Sequence, residues 1–259
     1  MEKKYWVPAV ERANNVLLEI SKHPNKLKLI DISKKLYINK SSLFSLLNTL
    51  EVLGWIIKSE SDTYKLGPSL GRFSFAYLSQ FNLVQNFHKE AEKSVSKINE
   101  TIQLGTLDEK DVVYLGKVNS SNNVRLVTDP GMRFPAYATA IGKVQMLEWE
   151  KDYINQIFKD TDWQMKTKFT TSSVEDLVSK IEVAKQKGYV VENEESAIGF
   201  HCVAAPIYNH ENKIIAGVSF SMPTDSWKDK SEDAKKEIID LAKRLSKLAG
   251  YSISENNLR

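Results

Sequence analysis

Between residues 27 and 66 the apolar positions change period twice. Leu29, Ile32 and Leu36 recur at spacings of three and four, which puts them on one face of a short helix. After Asn39, a residue whose side chain can cap a helix N-terminus, Leu43, Leu46, Leu47, Leu50 and Leu53 form a second stripe. The opposite face of that second helix carries Ser41, Phe44, Ser45 and Asn48. Gly54 fits the left-handed residue that ends a helix. Two β-prone runs, Trp55 to Lys58 and Thr63 to Leu66, then flank the polar turn Ser59 to Asp62. Each helix alone could belong to any bundle. The ordered combination of helix, short turn, helix and hairpin predicts a winged helix-turn-helix, a device that reads DNA.

Beyond Gly67 the pattern alters. Pro68 to Gln80 and Leu83 to Ile102 read as helices, and Phe73, Ala76, Tyr77 and Phe81 make a stripe that serves either packing on its own domain or a dimer contact. Strands are expected at Leu104 to Leu107, Val112 to Val118, Val124 to Thr128, Val190 to Glu192, Cys202 to Tyr208 and Ile214 to Met222. Helices are expected at Ala138 to Trp149, Tyr153 to Lys159, Val174 to Lys187 and Glu232 to Leu248. Tight connections such as Asp108 to Asp111 favour an antiparallel sheet flanked by helices, an α+β domain. The expected organisation is therefore multidomain: residues 1–67 as the winged helix-turn-helix, mostly α with a β-hairpin wing, 68–82 as a linker helix and 83–259 as an effector-binding and oligomerisation domain.

Strand alternation places Gly217, Ser219 and Ser221 on one face of a strand, and Cys202 and Ala204 on one face of another. Small side chains with hydroxyls and a thiol either leave a pocket for a polar ligand or admit a packed helix; the pattern leaves both open.

Charge sharpens the division. Residues 1–67 hold eleven Lys or Arg against seven Asp or Glu, whereas residues 68–259 hold twenty-five against twenty-six. The basic excess of a chain with net charge +3 sits in the segment expected to meet phosphates. Lys26, Lys28, Lys34, Lys40, Lys58 and Lys65 are candidate phosphate contacts, with Ser42 beside them at the helix mouth. Base reading falls to Ser41, Phe44, Ser45 and Asn48, with Phe44 on a thymine methyl and Asn48 on an adenine. No apolar run approaches the ~20 residues of a membrane span. The start of the chain has no signal-peptide core, and the lone Cys202 suits a reducing compartment, so the expected location is cytoplasmic. The four histidines have no metal-ligand spacing, no phosphate loop of the GxxxxGK type is present, and neither metal nor cofactor is expected.

The whole series of motifs resembles the IclR family of bacterial transcription regulators, named for the isocitrate lyase regulator. The resemblance runs through VPAVERANNVLLEI, DISKKLYINKSSLFSLLNTLEVLGWI, YKLGPSL, GMRFPAYATAIGKVQM and GYVVENEESAIGFHCVAAPIYNHENKIIAGVSFSMP. It implies a GAF-like C-terminal domain that binds a small organic acid at positions matching Glu192, Cys202, Ser219 and Ser221. The opposite wall would come from Gly131, Met132, Ala136, Ala138 and Thr139. It also implies a homodimer, or a dimer of dimers, on a palindromic double-stranded operator. This chain departs from the family pattern at several places. Phe44 and Ser45 stand where His or Tyr followed by Arg is common, Tyr37 where the turn usually has glycine, and Glu192 where many relatives have Asp. A left-handed Tyr37 costs on the order of 1 kcal/mol and calls for compensation by packing.

The expected function is ligand-responsive transcription regulation. Two alternatives are an enzyme acting on a small acid through Cys202 with a DNA-binding domain attached, and a partner-binding winged helix that never touches DNA. Against the enzyme, His201 and Cys202 are adjacent on a strand and point to opposite faces.

Overall fold

The computed structural model describes residues 6–122, 126 and 128–252. The chain divides into two compact units, Met1–Gln80 and Phe81–Arg259.

In the first unit, α1 (Pro8–Lys22), α2 (Leu29–Leu36) and α3 (Lys40–Val52) enclose a core of Val16, Ile20, Ile32, Leu43, Leu47 and Leu50, closed below by Ile56 and Tyr64. Pro8 suits the first helical position because the N–H it lacks would have had no partner there. Asn39 caps α3 as expected, its Oδ1 accepting from Ser42 N at 2.8 Å. Leu46 is half-buried, but Leu53 is the C-cap residue and exposed, so the inner stripe of α3 ends one turn earlier than its leucines suggest. Gly54 takes φ +69°. The wing is β1 (Ile56–Lys58) paired with β2 (Tyr64–Leu66).

Tyr37 is left-handed at φ 54°, yet its side chain is 96% exposed, so packing does not offset the strain. Hydrogen bonding does: Ile38 N donates to Ser33 O at 3.2 Å and Ser33 Oγ donates to Ile38 O at 2.7 Å, pinning the turn from both sides. The helix α4 (Pro68–Gln80), expected as a linker, packs within this unit through an edge-on contact of Phe73 with Trp55 and a hydrogen bond from Ser69 N to Gly54 O at 3.1 Å.

In the second unit, α5 (Leu83–Ile98) stops four residues earlier than its apolar pattern suggested. Asn99 turns left-handed at φ 56°, and Thr101 and Ile102 join the sheet instead. The strands β3 (Thr101–Asp108), β4 (Asp111–Val118), β5 (Arg133–Pro135), β6 (Val190–Asn193), β7 (Phe200–Tyr208) and β8 (Ile214–Pro223) form one antiparallel sheet in the order β5-β4-β3-β8-β7-β6. Of the strand expected at Val124 to Thr128, residues 124, 125 and 127 lie outside the described residues, and Leu126 and Thr128 belong to no strand. The strand that pairs with β4 there is β5.

One face of the sheet meets α5 and α9 (Thr224–Leu248) over Phe87, Val203, Ala205, Phe220, Ile238 and Leu241. The other meets α6 (Ala140–Gln145), α7 (Lys151–Phe158) and α8 (Val174–Lys187) over Ile141, Val144, Ile154, Phe158 and Ile181. The helix expected from Ala138 to Trp149 is a 3₁₀ turn at Ala136–Ala138 followed by the short α6, because Thr139 is extended and caps α6 by accepting from Gly142 N at 3.0 Å. By contrast α9 starts eight residues before Glu232, where Pro223 ends β8; its first turns are too polar to show an apolar period.

Candidate functional site

The outer face of α3 presents Lys40, Ser41, Ser42, Phe44, Ser45 and Asn48 to solvent, as its periodicity predicts. Ser41 Oγ donates to Asn39 Oδ1 at 3.1 Å and Ser45 Oγ to Ser41 O at 3.3 Å, so both hydroxyls are oriented by the helix and offer outward lone pairs. Phe44 is 56% exposed, an apolar ring at the middle of an otherwise polar surface. Lys28, Lys40 and Lys65 are exposed. Lys58 differs: its Nζ sits 2.7 Å from Asp62 across the wing turn, and that partner raises its pKa. A phosphate would have to displace Asp62.

The second site lies where the sheet faces α6. Register aligns Glu192, Cys202, Ser221 and Thr101 as cross-strand neighbours over β6, β7, β8 and β3, with Ala204, Ser219 and Gln103 as the adjoining row. Both rows point to the α6 side. A cavity of about 50 Å³ opens above them. Its floor is Gln103, Cys202, Ser219 and Glu192, one wall is Thr139, Ala140 and Ile141, another is Tyr114 and Phe134, and Ser196 and Ala197 of the β6–β7 loop close it. The volume is far below the roughly 300–1,000 Å³ of sites that hold drug-sized ligands, so this is a contracted chamber with polar groups set among apolar walls.

Four of the expected effector residues therefore meet: Thr139, Glu192, Cys202 and Ser219. The others do not line the chamber. Gly131 turns at φ +90° on a connection held beside β4 by its N–H to Tyr114 O at 2.8 Å, and Met132 next to it is 39% exposed. Ala136 and Ala138 are fully buried beside α6; a Cβ on Gly142 would lie 2.3 Å from Ala136 O, which explains the glycine at that position. Ser221, in the same cross-strand row as Cys202, does not line the chamber and accepts the Cys202 thiol at 3.7 Å. Gly217 also leaves the site, since a Cβ there would meet Val144 at 2.9 Å and Ile141 O at 3.1 Å. The small-residue face thus serves both uses, helix packing at Gly217 and a chamber at Ser219.

The chamber's ionisable groups are coupled. The Glu192 carboxylate accepts from the backbone amides of Glu195 and Ser196 and from Ser196 Oγ at 3.2 Å. Burial raises its pKa, opposed mainly by Lys143. Burial, then the neighbouring Glu192, also pushes the Cys202 thiol well up, which holds it protonated and removes the thiolate a nucleophile needs. His201 points away, stacked on Trp227 at 5.5 Å and bonded to Asn193 Oδ1 at 3.0 Å.

Sequence reasoning did not find Lys143 or Glu195. Glu195 is buried, its Oε2 accepting from Thr171 N at 3.1 Å, Thr171 Oγ1 at 2.7 Å and Lys180 Nζ at 2.9 Å. Lys143, 1% exposed, lies 2.8 Å from Glu195 Oε1 but without a well-directed hydrogen bond. Burial lowers its pKa against the pull of Glu195 and Glu192. The available signal was a single lysine inside the apolar run AIGKVQML.

A larger groove of about 740 Å³ lies on the other side of the sheet, between α9 and β7, lined by Ala205, Tyr208, Ile239, Arg244 and Tyr251 among others. None of the expected site residues borders it. Among the described residues no cluster of His, Cys, Asp and Glu could hold a metal ion, and no helix is long and apolar enough to cross a membrane.

Comparison with known proteins agrees with both halves. Residues 9–59 match the IclR helix-turn-helix domain and residues 75–247 the bacterial transcriptional regulator IclR C-terminal domain. The chain is 30% identical over 247 residues to the HTH-type transcriptional regulator XynR of Escherichia coli, covering 95% of this chain and 98% of that one. It is 29% identical to KdgR of the same organism, covering 91% and 90%. The Thermotoga maritima IclR structure aligns with a TM-score of 0.62 at 26% identity, over 94% of this chain and 99% of that one. The Agobacterium tumefaciens repressor BlcR shares the fold with a TM-score of 0.80 at 24% identity, over 97% and 100%. With the reading helix, the wing and the sensor sheet all accounted for, the chain belongs to the IclR family of bacterial transcriptional regulators.

Proposed function

We propose that this DNA-binding transcription regulator senses a small organic acid in the chamber over Ser219 and Cys202, and that occupancy changes its affinity for a palindromic operator. The observation that carries the reading is the chamber itself: hydroxyl, amide, thiol and carboxyl groups converge on one face of the sheet under a closing loop. Thr139, Cys202, Ser219 and Gln103 supply hydrogen bonds, and Tyr114 and Phe134 an apolar wall.

The α3 face reads bases through Phe44 and Asn48, with Ser41 and Ser45 beside them, while Lys28, Lys40, Lys58 and Lys65 position the backbone. Phe44 in contact with thymine methyls favours an A·T-rich half-site. Phe73 and Tyr77, one turn apart on an exposed face of α4, suit a homodimer contact, which a palindrome requires. Effector binding then biases two arrangements of the dimer that differ in operator affinity.

A thermal-shift screen of small carboxylates tests the sensor, since a ligand confined to the folded state raises the melting temperature. An acid that stabilises the protein, and loses that effect when Ser219→Phe fills the chamber, is the expected result. No stabilising acid in the screen overturns the acid reading.

A further inference from the structure

We propose that Lys143 supplies the positive charge that an acidic effector meets in this chamber, with Glu195 as its resting partner; the inference rests on the carboxylate reading above. Among the described residues no lysine, arginine or histidine lines the cavity, and the one carboxylate there is Glu192, so an entering anion meets no compensating charge from those side chains. Burying an unpaired carboxylate is costly.

Lys143 stands one turn along α6 from Ala140, at the i+3 spacing that shares a helix side, and Ala140 lines the cavity together with the cap residue Thr139. Its field reaches two further lining groups, since it acts on the ionisation of both Glu192 and Cys202. Its ammonium is wholly buried and carries three donor hydrogens. None of these makes a well-directed hydrogen bond, although Glu195 Oε1 is 2.8 Å away. A buried polar group left in this condition calls for an explanation.

Glu195 has partners besides Lys143. Thr171 and Lys180 already deliver three hydrogen bonds to its other oxygen. Lys143 is therefore the less committed member of the pair. The same loop that carries Glu195 also contributes Ser196 and Ala197 to the cavity wall. Admitting an acid to a chamber of about 50 Å³ requires a wall to move, and the wall formed by Ser196 and Ala197 adjoins Glu195, so the effector carboxylate arrives where it competes with Glu195 for Lys143.

The experiment is a thermal-shift titration of the full chain with acetate, lactate, succinate, benzoate and gluconate, repeated on Lys143→Met, Lys143→Arg and Glu195→Gln. An acid that stabilises the wild type should bind Lys143→Met more weakly by on the order of tenfold, the loss of one charge-assisted hydrogen bond. Lys143→Arg should recover part of the loss. Glu195→Gln, which releases Lys143, should bind the same acid more tightly than the wild type. That gain separates charge pairing from a merely structural role, which would weaken binding in every variant. Equal affinity in wild type and Lys143→Met overturns the assignment and leaves the acid sensor standing. No response of the wild type to any acid overturns both. If Lys143→Met does not fold, Glu195→Gln decides: unchanged or weaker binding contradicts the assignment.

Discussion

The reading face of α3 and the sensor chamber over β7 and β8 are built on opposite principles. The first puts polar side chains and Phe44 in water, where they contribute little to the fold and are free to meet a duplex. The second puts Glu192, Glu195, Lys143 and Ser219 in the interior, where each weighs on the stability of the fold through the partners it finds there. The lesson is that stability and function separate cleanly in the head and are entangled in the sensor. Substitutions should reflect that difference.

The largest effect is expected in the sensor. Glu195→Ala removes the counter-charge of two lysines and strands the buried Lys143, which should cost roughly 3–5 kcal/mol in urea-induced unfolding. In the head, a comparable loss needs a core residue: Leu47→Ala should cost about 2–5 kcal/mol. Phe44→Ala, three residues away on the outer face, should leave stability within about 0.5 kcal/mol while weakening operator binding in a fluorescence titration. If Phe44→Ala were as destabilising as Leu47→Ala, the separation would fail.

Two neighbouring glutamates extend the comparison to pH. Burial opposes ionisation of Glu195, but Lys143 and Lys180 outweigh it and hold its pKa below the ordinary carboxylate value. Its contribution is therefore present above that value and is lost as pH falls through the folded pKa. Glu192 has its pKa raised by burial, so it favours the folded state at low pH and weighs against it as pH rises. Urea unfolding between neutral and acid pH should show a smaller acid loss in Glu195→Gln and a gain at neutral pH in Glu192→Gln. The reverse pattern would break the assignment of roles.

The fold was legible where a period was sustained. The stripe of α3, its Asn39 cap and the alternation of β7 and β8 all appear in the structure. Boundaries failed where a single residue decided them, as at left-handed Asn99 ending α5 and extended Thr139 splitting the helix expected from Ala138. The site was half legible. Alternation identifies the face shared by Cys202, Ser219 and Ser221, but not which of these side chains border the chamber, because that depends on where α6 packs on Gly217. Lys143 and Glu195 escaped because buried charge is recognised only by its partners, which are distant in sequence from at least one of the pair.

The smallest effects sharpen the head. Asn39→Ala should cost about 1 kcal/mol by removing the α3 cap. Tyr37→Gly should be neutral or stabilising by up to about 1 kcal/mol, because glycine relieves the left-handed strain at a side chain that packs on nothing. A marked loss of stability in Tyr37→Gly would show that the exposed ring supports the turn.

The coupling of the two regions is the central claim, and one titration tests it. Operator DNA selected by this protein from a random pool is bound in the presence and absence of the acid that stabilises it most, with the wild type and with Ser219→Phe. A change in operator affinity of roughly fivefold or more in the wild type, absent in Ser219→Phe, is the predicted result. Identical operator affinity with and without the acid in the wild type would contradict it.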